Sequence, residues 1–354
     1  MKLLVCFYCT LFTLAGCPNK KEELIIEPPA FMVKAADVSF LAEVRTSGMS
    51  MKNELGTPQD ILTTLKESGV NCIRLRLWKD PAGRTSSFEE VKELSREIRS
   101  MGMLVWLSVH YSDTWADPGH QAKPAAWSNL SFAVLKDSVY EYAKKIALKM
   151  RPDLMQVGNE INNGFLYNEG STNYNSQFTQ LLGSASEAIR NFAPQCKIML
   201  HHAGYAAANN FYSSVSDVDY DVMAISYYPV WHGGNLQVLE TSIRNLSISQ
   251  NKPVIIAETA YPFTFSYNDF TNNIVGSNNQ ILAAFSATPD GQLQYLTAIK
   301  TLVRNVPNAM GFCYWGAEWV SMKGPQATNG SPWENQSLWD FNGKALPALQ
   351  AFKN

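Results

Sequence analysis

Val254-Ile255-Ile256-Ala257-Glu258-Thr259 opens with four consecutive apolar residues and then reaches a carboxylate. A strand with one wet face alternates apolar and polar residues, whereas an unbroken apolar run belongs to a strand covered on both faces, as in a parallel sheet flanked by helices. Leu104-Val105-Trp106-Leu107 repeats the pattern. Working outward, strand-like runs fall at residues 35–40, 71–77, 104–110, 154–160, 197–203, 222–228, 254–259 and 310–315, eight in all. Helical patterns fill the gaps between them. Thr57 reads as an N-cap with Pro58 at the first helical position and Gly69 past the end, bracketing Ile61, Leu62 and Leu65. Val91, Leu94, Ile98 and Met101 keep helical spacing up to Gly102, and Leu135, Val139, Tyr142 and Ile146 do the same, as do Phe178, Leu181, Ala185 and Ile189. Further helical patterns cover residues 236–248, 293–306 and 345–352, with a short one at 209–214. Eight strands, each followed by a helix, predict a single α/β domain, a (β/α)8 TIM barrel. An open doubly wound sheet is the other arrangement of such units, but no glycine-rich phosphate loop follows the first strand. The long connections 261–291 and 316–344 follow strands 7 and 8, on the face where a barrel builds its active site.

The composition excludes several classes. The 354 residues are 46% hydrophobic and only 17% charged, which argues against disorder, and a formal charge of −2 leaves no footprint for nucleic acid. Met1-Lys2 and the apolar run from Leu3 to Ala15 read as an export signal, too short to span a bilayer. Leu14-Ala15-Gly16-Cys17 resembles the lipobox of bacterial lipoproteins, so residues 1–16 are expected to be removed and Cys17 lipidated; the alternative is an ordinary signal with a chance cysteine. Residues 17–30, with Lys20-Lys21-Glu22-Glu23 and Pro28-Pro29, then form a polar tether, and residues 31–354 the catalytic domain. This predicts an exported, membrane-anchored protein displayed at the cell surface or outer membrane. Cys72, Cys196 and Cys313 lie within apolar runs without CxxC spacing and are expected to be buried free thiols.

In a barrel, catalytic groups stand at strand C-termini. Strand two ends with Arg74-Leu75-Arg76, strand three at His110, strand four with Gly158-Asn159-Glu160, strand five at His201-His202, strand six at Tyr227-Tyr228, strand seven at Glu258 and strand eight at Trp315. Glu160 and Glu258 each follow a strongly apolar run on strands that face each other across the mouth. Glycoside hydrolysis needs one protonated carboxyl to deliver a proton to the leaving oxygen and one ionised carboxylate to attack the anomeric carbon, and a separation of roughly 5–5.5 Å gives a retaining reaction. A structural ion pair with Arg74 or Arg76 is the competing role for either glutamate. Tyr227 or Tyr228 could donate a hydrogen bond that keeps the nucleophile ionised. His201 and His202 suit packing or sugar contact better than metal binding, since no carboxylate stands at ligand spacing.

At these residues the chain resembles a known family. Asn159-Glu160 and Glu258 match the signature of the clan of retaining glycosidases with (β/α)8 barrels, which includes cellulases, mannanases, xylanases and galactanases. More specifically, Gly69-Val70-Asn71-Cys72-Ile73-Arg74-Leu75-Arg76-Leu77-Trp78-Lys79-Asp80-Pro81, His110-Tyr111-Ser112-Asp113-Thr114-Trp115-Ala116-Asp117-Pro118-Gly119, Gln156-Val157-Gly158-Asn159-Glu160 and Glu258-Thr259-Ala260-Tyr261-Pro262 look like glycoside hydrolase family 53, the endo-β-1,4-galactanases. Also similar are Ala36-Asp37-Val38-Ser39 and Ala287-Thr288-Pro289-Asp290-Gly291-Gln292, so the likeness spans about residues 34–340. The resemblance implies Glu160 as acid/base, Glu258 as nucleophile and β-1,4-galactan of pectin and type I arabinogalactan as substrate. It implies Asn159 as a ligand of the sugar 2-hydroxyl, with Trp127, Tyr228, Trp315 and Trp319 as stacking platforms. Arg76, His110, His202 and Tyr227 complete the expected substrate-binding set. Some bacterial members hold calcium after strand seven, but Asn268-Asp269-Phe270-Thr271-Asn272-Asn273 is poor in carboxylates, so neither a metal nor another cofactor is expected. A monomer is expected. Another endo-glycanase of the clan, such as a mannanase, and a non-catalytic glycan-binding lipoprotein on the same barrel are the alternatives.

Overall fold

A computed structural model describes residues 32–353. Cys17, the signal and the tether lie outside the described residues. β1 (Val33–Asp37), β2 (Cys72–Leu77), β3 (Leu104–Val109), β4 (Leu154–Val157), β5 (Lys197–Ala203), β6 (Val222–Ser226), β7 (Val254–Thr259) and β8 (Ala309–Tyr314) close in sequence order into a barrel. Every pairing is parallel, including β8 with β1. The predicted (β/α)8 barrel is therefore present. β1 starts two residues earlier than its apolar run suggests, and β4 stops at Val157, three residues short of Glu160.

The helices are α1 (Leu41–Thr46), α2 (Ile61–Glu67), α3 (Phe88–Ser100), α4 (Phe132–Met150), α5 (Asn175–Phe192), α6 (Ala208–Ser214), α7 (Pro229–His232), α8 (Leu236–Gln250) and α9 (Pro289–Asn305). Thr57 is not the cap of α2. Asp60 is, its carboxylate accepting from Leu62 N at 2.9 Å, while Thr57 closes a turn in which Asn53 N donates to its carbonyl. The predicted C-terminal helix is a 3-10 turn at Pro347–Phe352. α1 and α7 are short connections that no periodicity announces.

Two apolar layers hold the barrel. Val33, Ala35, Cys72, Trp106, Leu154, Met199, Val222, Ala224, Ile255, Ala257 and Cys313 fill its interior, and a larger cluster lies between the strands and the helices. Cys72, Cys196 and Cys313 are free and buried, as expected. Among the described residues, no helix is long and apolar enough to cross a membrane.

Candidate active site

Above the apolar floor, the inward positions turn polar. Strand alternation sends Cys72, Arg74 and Arg76 of β2 inward, and Trp106 and Ser108 of β3 likewise. The Arg74 guanidinium lies 5.6 Å from the Trp106 ring, at the boundary between the dry floor and the polar mouth. The two glutamates reach that mouth by departures from regular strand geometry. In β7, Ile255 and Ala257 point inward, so strict alternation would turn Glu258 out toward the helices. Against β6, however, Ile225 pairs with Ile256 and Ser226 pairs with Glu258, an irregularity of one residue that turns Glu258 inward and lets Thr259 face Tyr295 of α9. Beyond β4, Gly158 and Glu160 adopt φ of 80° and 47°, a turn that brings both Asn159 and Glu160 to the mouth. A Cβ on Gly158 would lie 2.4 Å from Ile161.

Glu258 is held as a carboxylate. Arg74 donates to its Oε1 at 2.7 Å and Tyr228 donates its hydroxyl to Oε2 at 3.0 Å. The same guanidinium donates to Asp37 at 2.7 Å and to Asn159 Oδ1 at 3.0 Å. Asn159 Nδ2 donates one hydrogen to Ala116 O at 2.8 Å and has a second for a sugar hydroxyl. Glu160 accepts a short hydrogen bond from Ser226 and, among the described residues, makes no ion pair. Burial first and the Glu258 charge second push its carboxyl up to about 8, with the Ser226 donor and Arg74 opposing. Burial raises Glu258 too, but Arg74 and Tyr228 counter it there, so of this coupled pair Glu258 ionises first and Glu160 keeps the proton. One acid and one nucleophile thus arise from two identical side chains. The ion pair weighed as a purely structural role for Glu258 is real, but it belongs to the site itself.

The carboxylates line an open cleft of about 420 Å³ together with Arg74, Arg76, His110, Asn159, Tyr228 and Trp315. Trp115, Asp117, Trp231, His232 and Trp333 also line it. Arg76 donates from Nε to Ser86, and its guanidinium lies 3.9 Å from the Trp115 ring centroid, with Phe40 and Trp78 also against it. His110 accepts from Ala116 N at 3.1 Å, and burial beside Arg76 and Arg74 holds it well below the usual imidazole range.

Four of the expected substrate-binding residues are not in the cleft. Trp127 sits on a 3-10 turn, buried edge-on against Tyr142 under α4. His202 faces the helices, packed on Phe211 and bonded to Gly204 O, because its inward neighbour His201 takes the site. Tyr227 likewise points outward and donates to Gly233 O, leaving Tyr228 as the partner of Glu258. Trp319 stacks on Phe40 at 4.3 Å and lies 6.2 Å from Trp115 without lining the cleft itself. Conversely, Arg74, His201, Ser226, Trp115, Trp231 and Trp333 belong to the site or its walls but were not in the expected set. Arg74 and His201 had a sequence signal, as inward polar residues near strand ends.

Among the described residues, no three or more His, Cys, Asp or Glu side chains form a group able to hold a metal. Asp269, in the loop after β7, is buried and instead accepts from Thr271 N and Ser331 N, while Glu334 accepts from Asn268 N, which ties that loop to the one after β8.

Residues 33–352 match the model of glycosyl hydrolase family 53. An endo-β-1,4-galactanase of Bacillus subtilis is 33% identical over 91% of this chain and 85% of its own length. The solved family 53 catalytic domain of Ignisphaera aggregans superposes with a TM-score of 0.86 at 36% identity, covering 93% of this chain and 98% of that one. A fungal β-1,4-galactanase structure superposes at 0.80 with 27% identity, covering 91% and 99%. A barrel whose two glutamates are tuned apart, one just beyond β4 and one near the end of β7, and which is matched over residues 33–352, belongs to glycosyl hydrolase family 53.

Proposed function

We propose that the protein is a retaining endo-β-1,4-galactanase that hydrolyses galactan and type I arabinogalactan. The observation that carries the chemistry is the asymmetry of the pair. Glu258 is ionised against Arg74 and Tyr228, and Glu160 is kept protonated by burial and the neighbouring negative charge. Glu258 attacks the anomeric carbon, the C1–O electron pair passes to the glycosidic oxygen, and Glu160 gives that oxygen its proton. The glycosyl-enzyme ester then meets water, whose proton Glu160 now accepts as oxygen bonds to C1 and Glu258 leaves. The second N–H of Asn159 suits the sugar 2-hydroxyl. Aromatic walls suit the apolar CH faces of galactose, which flat rings bind with little entropy to lose. The substrate assignment is supported by the galactanase names of the similar proteins.

Assays on pure galactan and pure mannan test the substrate: turnover of galactan is expected, and turnover of mannan without galactan would remove the galactanase reading. Glu258→Ala separates an enzyme from a glycan-binding barrel, because loss of a nucleophile costs about 10³-fold or more in rate, roughly 4 kcal/mol of barrier.

We further propose export and anchoring through Cys17 at the cell surface, with the body acting as a monomer. The apolar run ending in Leu14-Ala15-Gly16-Cys17 supports the anchor. Cys17→Ser should move the protein from the membrane to the soluble fraction of its native host; retention there would rule out the lipid anchor.

A further inference from the structure

A hydrogen-bond chain runs beneath the two carboxylates, and its direction is set by chemistry. It begins at Arg74, whose guanidinium can only donate. Arg74 Nη2, whose two hydrogens are shared with Glu258 and Asn159, also lies 3.4 Å from Gln156 Oε1, a contact that suits an oxygen at this end of the amide and Nε2 at the other. Nε2 lies 3.1 Å from Gly158 O, a pure acceptor, so the same assignment follows independently. Gln156 Nε2 then meets His201 Nδ1 at 2.9 Å, and Glu160 N also donates to that nitrogen at 3.3 Å. The Glu160 backbone N–H can only donate, and the third neighbour of that nitrogen, Asn159 Oδ1 at 3.3 Å, already accepts from Arg74, so Nδ1 acts as the acceptor and carries no proton. Burial and the nearby Arg74 hold His201 far below the usual imidazole range, so the ring is neutral and its single N–H is on Nε2. That N–H faces Ser226 Oγ at 2.9 Å. Ser226 has therefore filled an acceptor position, and its own hydrogen points to Glu160 Oε1. Gln156, His201 and Ser226 are all buried, so solvent does not compete for these positions. Among the described residues Glu160 Oε2 has no hydrogen-bond partner, it is not sealed from the cleft, and it is the free oxygen of the acid.

We propose that His201 and Ser226 are positioning residues that confine the acid proton of Glu160 to Oε2, the oxygen that meets the leaving group. A carboxyl whose Oε1 always accepts from Ser226 cannot bind its proton there and present the bare oxygen to the glycosidic bond. Without the chain, the proton divides between the two oxygens and the carboxyl loses its anchor at Ser226. This inference rests on Glu160 being the acid/base of the galactanase reaction. The groups facing Glu160 are Glu258 from β7, Arg74 from β2, Asp117 from the loop after β3, His201 from β5 and Tyr228 after β6.

The test compares kcat/KM of Ser226→Ala on galactan with kcat/KM on a 2,4-dinitrophenyl β-1,4-galactobioside. The dinitrophenolate leaves without protonation, so this substrate reports the fold and the nucleophile while bypassing the acid. The expected result is a loss of about tenfold or more on galactan and little change on the aryl glycoside. The alkaline limb of the galactan profile should also move to higher pH, since the lost hydrogen bond favoured the ionised carboxylate. Equal losses on both substrates, or an unmoved alkaline limb, would overturn the proposal. Ser226→Cys keeps the volume but donates weakly, and it must show the same split at smaller size. A wild-type protein that turns over neither substrate would instead defeat the galactanase reading.

Discussion

The Arg74 guanidinium serves Asp37, Asn159 and Glu258 at once, so the charge that keeps the nucleophile ionised also fixes the residue aimed at the sugar. Removing one member of such a buried set leaves the others uncompensated, which is why the informative substitution is the milder one at Tyr228. Productive enzyme has Glu258 ionised and Glu160 protonated. kcat/KM on galactan should therefore rise with pH as Glu258 ionises and fall as Glu160 does so, near pH 8. Tyr228→Phe deletes the donor to Glu258 Oε2, which had favoured the carboxylate. Its carboxyl then titrates higher, so the acid limb moves to higher pH while the alkaline limb stays. A hydrogen bond to a charged group contributes about 1.5–3 kcal/mol, so kcat/KM should fall about 10- to 100-fold. A pH–rate profile with an unmoved acid limb would mean that Tyr228 does not tune the nucleophile.

At the scale of elements, regular stretches were legible in the sequence and departures from them were not. The runs at 104–110 and 254–259 become β3 and β7 because unbroken apolar stretches have one home in a parallel barrel. The irregular β7 register that aims Glu258 depends on how β6 lies beside it, and nothing within residues 254–259 encodes the neighbour. The start of α2 failed for a local reason: Thr57 and Asp60 both suit a cap, and Pro58 favoured the wrong one. Asp60→Ala should cost about 1 kcal/mol and Thr57→Ala within about 0.5 kcal/mol in thermal or denaturant unfolding. Equal effects would return the cap to Thr57. At the seam between β8 and β1, Gly311 has φ of 153°, and a Cβ there would sit 1.9 Å from Val33 O. Gly311→Ala must push apart two paired strands, so a loss on the order of 3 kcal/mol or more is expected, seen as a lowered melting temperature or insoluble protein. An unchanged melting temperature would show that the seam yields at no cost.

Across the whole molecule, the sequence announced the barrel and the two carboxylates, while which of two adjacent residues enters the cleft came down to one step of strand parity. His201 and His202 are chemically alike, as are Tyr227 and Tyr228, yet one of each pair faces the mouth and the other the helices. Parity is set by closure of all eight strands, which no local pattern records. Closure also gathers aromatics from distant loops into a continuous wall. Trp115 meets Trp315 at 6.1 Å, Trp315 meets Trp333 at 4.8 Å, and Trp333 stacks against Trp231 at 6.2 Å and 28°. The interior members are buried or half-buried, whereas Trp231 is 56% exposed and Trp115 36%. A ring left in water at the rim of a cleft, braced flat against another indole, is preorganised to receive a sugar. Interactions equal in ground and transition states change KM and leave kcat alone. Trp231→Ala should therefore raise KM for polymeric galactan about 5- to 30-fold, the worth of roughly 1–2 kcal/mol of stacking, with kcat held. The penalty should vanish on oligosaccharides too short to reach the rim. A kcat that falls with KM unchanged would place Trp231 in the support of the catalytic pair, through Trp333 and Tyr228, and would remove it from the binding surface.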